Sequence, residues 1–179
     1  MLAQSGACKV VTTAENAGPV ASAQGPRAVA DFALDDCPRL DVIVVPGGPG
    51  TRRESNNPVV LEWLAKRSSE ADALCSVCTG AALLARAGLL DGRRATSNKW
   101  SFGWVVEQGP RVQWVRKARW VEDDRLFTSS GVSAGIDMTL AVIAKVTTVE
   151  TAERLAVRME YDWHRDASWD PFATVHGLE

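Results

Sequence analysis

The sequence predicts an α/β sandwich around a mostly parallel sheet, with helices on both faces. Three observations predict it. Two short, continuous apolar runs, Asp41–Gly48 (DVIVVPGG) and Ala73–Val77 (ALCSV), flank a stretch of helical character. Glycines follow closely on both runs, as where a buried strand enters a loop at the sheet edge. Two successive helical patterns then close the pattern at 133–146 and 149–163.

Taken in order, Cys8–Thr13 (CKVVTT) is a short, partly β-branched run and a candidate buried strand. Gly25-Pro26 interrupts Val20–Leu34, which predicts two short strands or a hairpin. Asn57-Pro58 opens a helix with Val59, Val60, Trp63 and Leu64 on one face. Residues 79–90 (TGAALLARAGLL) predict a helix stopped near Gly88. A short strand is expected at Ala95–Ser97, with longer strands at Val112–Val121 and Leu126–Ser129. The stretch 133–146 is almost wholly apolar, so its helix should be buried, and 149–163 should form the next.

With 179 residues, and no repeat, low-complexity stretch or Pro/Ser-rich linker, the chain reads as one domain over 1–179, with a tail at 164–179. A chain of this length buries roughly 70% of its unfolded surface, enough for a core without metal or disulfides. The net charge of −2 points away from nucleic acid and anionic membranes as standing partners. No apolar run approaches the roughly 18 residues of a membrane span, and no signal peptide opens the sequence. Four cysteines at this length do not make a disulfide scaffold, so a reduced, cytoplasmic protein is expected.

Cys75 and Cys78 admit three readings. A zinc site needs about four ligands, and the only histidines, His164 and His176, lie far along the chain. A redox pair sets both sulfurs in the first turn of a helix, whereas Cys75 sits inside a run of strand character. The third reading places Cys78 alone at the apex of a strand–turn–helix elbow, with Gly80, Ala81 and Ala82 letting the helix approach the sheet closely. There the thiol faces the positive end of a helix, a setting that favours the reactive thiolate. Gly47 and Gly48, with the Thr79 amide, would supply an anion or oxyanion hole at the same edge. Cys8, Cys37 and Cys75 read as small buried hydrophobes.

The blocks VIVVPGGPGTR (42–52), SVCTGAALLARAGLLDGRRAT (76–96) and TSSGVSAGIDMTLAVI (128–143) resemble the ThiJ/PfpI, or class I glutamine amidotransferase-like, superfamily. The C-T-G elbow and the later GVSAGID look closest to its isonitrile hydratase-like branch and to the ligand domains of related transcription regulators. The resemblance implies a flavodoxin-like fold, a homodimer, a small-molecule substrate, and no metal or organic cofactor. It implies Cys78 as nucleophile, attacking the terminal carbon of an isonitrile to give a thioimidate that water converts to an N-substituted formamide. Thr79 matches the threonine that follows the nucleophile in that branch. Asp137, in SAGID, is expected to orient groups around the pocket or to pair within the last helices.

Departures from the family pattern narrow this reading. Pro110–Trp120 contains no histidine, so protease, deglycase and glyoxalase chemistry lose their base. Asn98 stands in ATSNKW where many isonitrile hydratases have histidine. The family's opening strand and helix, which carry an acidic residue, have no counterpart before Cys8. Three explanations stay open: the chain begins upstream, another segment fills the gap, or the protein is inactive. The rival functions are a stress or redox sensor, with Cys78 oxidised or modified, and a ligand-binding relative of the regulators.

Among the remaining residues, Trp63, Trp114 and Trp120 read as core, and Trp100 and Trp104 as packing rather than pocket lining. Arg52 and Arg53 read as solvated. Arg116, Lys117 and Arg119 read as a basic cluster on a strand, too small for nucleic acid. His164 lies in an aromatic-rich tail expected to pack on its own domain.

Overall fold

A computed structural model describes residues 1–178. A short 3₁₀ turn leads to β1 (Thr13–Ala14), β2 (Gly18–Ala21), β3 (Arg27–Ala30), β4 (Phe32–Ala33) and β5 (Val42–Val45). Then come α1 (Thr51–Glu54), α2 (Pro58–Ser68), β6 (Ala73–Val77), α3 (Ala81–Arg86), β7 (Arg94–Ala95), α4 (Phe102–Glu107) and β8 (Gln113–Trp114). β9 (Trp120–Asp123), β10 (Leu126–Ser129), α5 (Val132–Val146), α6 (Val149–Arg158) and α7 (Phe172–Val175) complete it.

The central sheet runs β5-β6-β10-β9, parallel except for the β10–β9 hairpin. Its two faces follow from the period of 2 along each strand. On one face Ile43, Val45, Leu74 and Leu126 pack against Leu64 of α2 and the alanines and leucines of α3. On the other, Ala73, Cys75 and Phe127 pack against Met138 and Val142 of α5. The opposite side of α5, through Leu140 and Ile143, packs on Ala152, Leu155 and Ala156 of α6. α5 is therefore sandwiched, which is why its sequence is apolar almost all round. Fully burying a side chain such as Leu74, Phe127 or Leu140 stabilises by about 1.5–3 kcal/mol.

The α/β class, the β5 and β6 strands, the Gly25-Pro26 hairpin (β2–β3) and the α2 start at Asn57-Pro58 match the expectations. Asn57 caps α2 by accepting from the Val59 amide at 3.1 Å. Other expectations need correcting. Val59 is exposed, so the apolar face of α2 is Val60, Trp63 and Leu64. Val112–Val121 is not one strand. Val115 bonds back to Ala95, and the chain then crosses to the central sheet before β9 begins at Trp120. Cys8–Thr13 shrinks to Thr13–Ala14, because the Thr12 amide donates to the Asp31 carboxylate at 2.8 Å rather than to a neighbouring strand.

β5 pairs with β6 on one edge only. Beyond its other edge lies a trough of about 1550 Å³, bounded on the far side by β1 and its approach and floored in part by Trp63 and Leu64. Val44, mid-strand on β5, is correspondingly 40% exposed. No helix is long and apolar enough to cross a membrane among the described residues.

Candidate active site at the β6–α3 turn

β6 ends in Val77 with extended backbone, and a 3₁₀ turn over Cys78–Gly80 runs into α3. Between them Cys78 takes φ 58°, the left-handed region that a residue with a Cβ enters at a cost of about 1–2 kcal/mol. Strain of this kind persists only where its surroundings over-determine it. Here they do. The Cys78 amide donates to Ser130 O at 3.0 Å, and the Ser97 hydroxyl donates to Cys78 O at 2.7 Å. A Cβ at Gly80 would collide with Val45 O, and one at Gly47 would lie 2.7 Å from the Cys78 Cβ. Only glycine lets the end of β5 and the elbow approach so closely.

The Pro46-Gly47-Gly48 loop is stitched to the elbow by two threonines. The Gly48 amide donates to Thr79 Oγ1 at 2.9 Å, and Thr51 Oγ1 donates to Gly48 O at 2.8 Å. Thr51 also bonds Thr79 Oγ1 at 3.0 Å. Gly47, Gly48, Cys78 and Thr79 thus come together as the sequence suggests. The Gly48 amide is already donated to Thr79, so an anion using it must displace that hydroxyl. Thr79 is buried and acts on the loop; Cys78 is half-buried at the surface of the turn.

Three residues earlier, Cys75 has the opposite setting. It is 1% exposed beneath α5, and burial pushes its thiol up to about 12. Cys37 is buried as expected, whereas Cys8 is only partly buried and lines the trough. The ring of His164 stacks on Trp169 at 4.6 Å, and that of His176 meets Trp100 edge-on at 5.8 Å. Trp100 is 83% exposed and so packs in no core; Trp104 instead receives the Arg52 guanidinium at 4.3 Å. Glu15 and Glu54 both accept from Asn57 Nδ2, at 2.9 and 2.8 Å, within the trough that also reaches Gly47.

Asp137 is fully buried. Its Oδ2 accepts from Arg119 Nε and Nη2 at 2.6 and 2.5 Å, and its Oδ1 from Tyr161 Oη and the His164 amide, both at 3.0 Å. Arg119 is therefore no part of an exposed basic cluster. Burial and the adjacent Asp137 push the Tyr161 phenol up. Ser97, Ser130, Thr51 and Lys99 were invisible as site residues in the sequence, because lone Ser, Thr and Lys residues carry no spacing signal. Lys99 is buried, donating to Thr96 Oγ1 (2.7 Å), Ala118 O (3.0 Å) and Ser97 O (3.3 Å). Its ammonium lies 3.1 Å from the equally buried Asp170.

The DJ-1/PfpI family model matches residues 1–145. An isonitrile hydratase from Pseudomonas putida is 36% identical over 143 residues, 80% of this chain and 61% of that protein. The HTH-type transcriptional regulator CdhR from Pseudomonas aeruginosa is 33% identical over 128 residues, 72% of this chain and 38% of the regulator. The chain thus spans less than two thirds of either relative. A crystal structure of a ThiJ/PfpI family protein from Pseudomonas syringae superposes with a TM-score of 0.79 at 30% identity, covering 95% of this chain and 72% of that one. A flavodoxin-like sheet and a family match over most of the chain agree: the chain belongs to the DJ-1/PfpI family.

Proposed function

We propose that this protein is a cysteine-dependent hydratase acting on a small isonitrile, with Cys78 as its nucleophile. The observation that carries the reading is the half-buried Cys78 held at φ 58° between a parallel strand and a helix, with both backbone polar groups bonded. A side chain on such a turn projects from the sheet edge towards incoming substrate. The likeness to isonitrile hydratase supports the substrate class.

In this reaction the Cys78 sulfur forms a bond to the terminal carbon of R–N≡C, and the thiol proton ends on that carbon, giving the thioimidate R–N=CH–S–Cys. Water adds across C=N, and collapse breaks C–S, returning the thiol and releasing R–NH–CHO. Thr79 holds the Gly47-Gly48 loop against the elbow, and negative charge developing during attack is stabilised there once it displaces the Thr79 hydroxyl from the Gly48 amide. Asp137 acts at a distance, by fixing Arg119 and the tail. The reaction as written needs no metal or organic cofactor, and the protein works as a cytoplasmic homodimer.

The matched regulator region favours a second reading, in which the elbow around Cys78 binds a small molecule without turning it over. Conversion of a phenyl isonitrile to N-phenylformamide, followed by chromatography, decides between them. Turnover that disappears in Cys78→Ala supports the hydratase. A folded wild-type protein that binds the isonitrile without product overturns it in favour of binding.

A further inference from the structure

The two backbone polar groups of Cys78 are each the start of a chain of contacts, and both chains end in the same segment. The Cys78 amide donates to Ser130 O (3.0 Å), the Ser130 amide to Arg119 O (2.8 Å), and the Arg119 amide to Ala167 O (2.8 Å). The Cys78 carbonyl accepts from Ser97 Oγ (2.7 Å), Ser97 O accepts from Lys99 Nζ (3.3 Å), and Lys99 pairs with Asp170 (3.1 Å). Ala167 and Asp170 lie beyond residues 1–145, the part that the family model matches.

We propose that the segment Ala167–Asp170 positions the Cys78 elbow, with Asp170 and Lys99 as positioning residues acting through Ser97; this rests on the reading of Cys78 as the reactive group. The physical case is over-determination. Backbone at φ 58° relaxes unless it is held, and an amide tie alone leaves the carbonyl free to rotate. Ser97 supplies the missing tie, but a lone serine on a loop is itself soft. Its carbonyl is fixed by Lys99, and all three Lys99 protons are aimed at Thr96, Ser97 and Ala118. Asp170 meets the ammonium by charge, without an aligned hydrogen bond of its own. The ammonium of a lysine only 4% exposed needs such a counter-charge to stay ionised. Burial lowers the Lys99 affinity for its proton, and Asp170 opposes that. The second chain meets the first in the tail, because Ala167 and Asp170 are three residues apart. Asp137 and Arg119 clamp the same segment from beneath, with the Arg119 guanidinium 5.2 Å from the Trp169 ring.

The test is the rate of Cys78 alkylation by iodoacetamide across a pH series, read by mass spectrometry on the 68–86 peptide, with fragment ions separating Cys78 from Cys75. In Asp170→Asn the rate at pH 7 should fall about tenfold. Ser97→Ala should do the same, and the double variant should fall no further, because the two act in series. A folded Asp170→Asn with the wild-type profile overturns the proposal, since a purely structural aspartate would lower the melting temperature and leave the thiol unchanged. If Asp170→Asn loses the native circular dichroism spectrum, Lys99→Met/Asp170→Leu decides, because removing both charges leaves none unpaired. The same tenfold loss there supports the proposal, and a wild-type profile overturns it. A wild-type Cys78 no more reactive than Cys8 sinks the nucleophile reading and this proposal with it. A reactive wild type with unchanged variants sinks the positioning alone.

Discussion

The two edges of the central sheet are finished in opposite ways. At the β9 edge the tail lies across the chain: Ala167 O accepts from the Arg119 and Trp120 amides, and buried pairs Arg119–Asp137 and Lys99–Asp170 lock it down. Among the described residues no strand pairs with the outer edge of β5, and a trough of about 1550 Å³ runs beside it. The Cys78 turn lies between them, at the carboxyl end of β6. Its backbone is tied towards the closed edge, and its Gly47-Gly48 wall stands at the end of the open one. The turn is thus braced from one side and borders open space on the other only through its glycine wall.

The sharpest way to break this contrast is at the closed edge. Asp137→Ala leaves the Arg119 guanidinium buried and unpaired, which should cost about 3–5 kcal/mol, whereas Arg119→Met/Asp137→Leu should cost much less. Urea unfolding of both variants checks it, and equal losses would mean that packing alone closes this edge. Gly80→Ala comes next: its Cβ meets Val45 O, so a loss of about 1–3 kcal/mol is expected, together with loss of thiol reactivity at Cys78.

A pH experiment probes the layer beneath. The Cys75 thiol is raised from 9.0 to about 12 by burial, so its contribution is fully present below pH 9 and is lost as pH rises towards 12. At pH 10, one unit above the ordinary value, wild type should have lost about 1.4 kcal/mol to this group, and Cys75→Ala should show a correspondingly flatter fall between pH 8 and 10. Melting curves across that range decide it. The smallest effect belongs to the open edge. Val44→Lys should change stability by no more than about 0.5 kcal/mol, because half of that side chain's surroundings is solvent. Hydrogen exchange should show alternate β5 amides unprotected while those of β6 and β10 are slow. Uniform protection along β5 would show that the trough is filled.

Much of this was legible in the chain. Continuous apolar runs bounded by glycine marked β5 and β6: β6 is buried on both faces and cannot alternate, while β5 keeps an apolar run although its Val44 is exposed. The apolar circumference of α5 announced a helix covered on both sides. Cys78 could be told from Cys75 because a strand residue points into a layer while the residue after the strand does not. Less legible were pieces whose partners lie far away in sequence. Val112–Val121 reads as one strand because local propensity cannot see Lys99 and Asp137 pulling its middle and end apart. Cys8–Thr13 reads as a buried strand because its composition cannot report that one flank is open.

The sequence by itself determined the α/β class, the helix and strand order of the central layer, and the cysteine at the turn, since these rest on hydrophobic period and on glycine at fixed offsets. Only the tertiary structure decided what holds that cysteine. Ser97, Ser130, Lys99 and Asp170 are polar residues without periodicity, brought to one place by chain crossings of 19 to 71 residues, and burial alone converts them from ordinary surface types into paired groups.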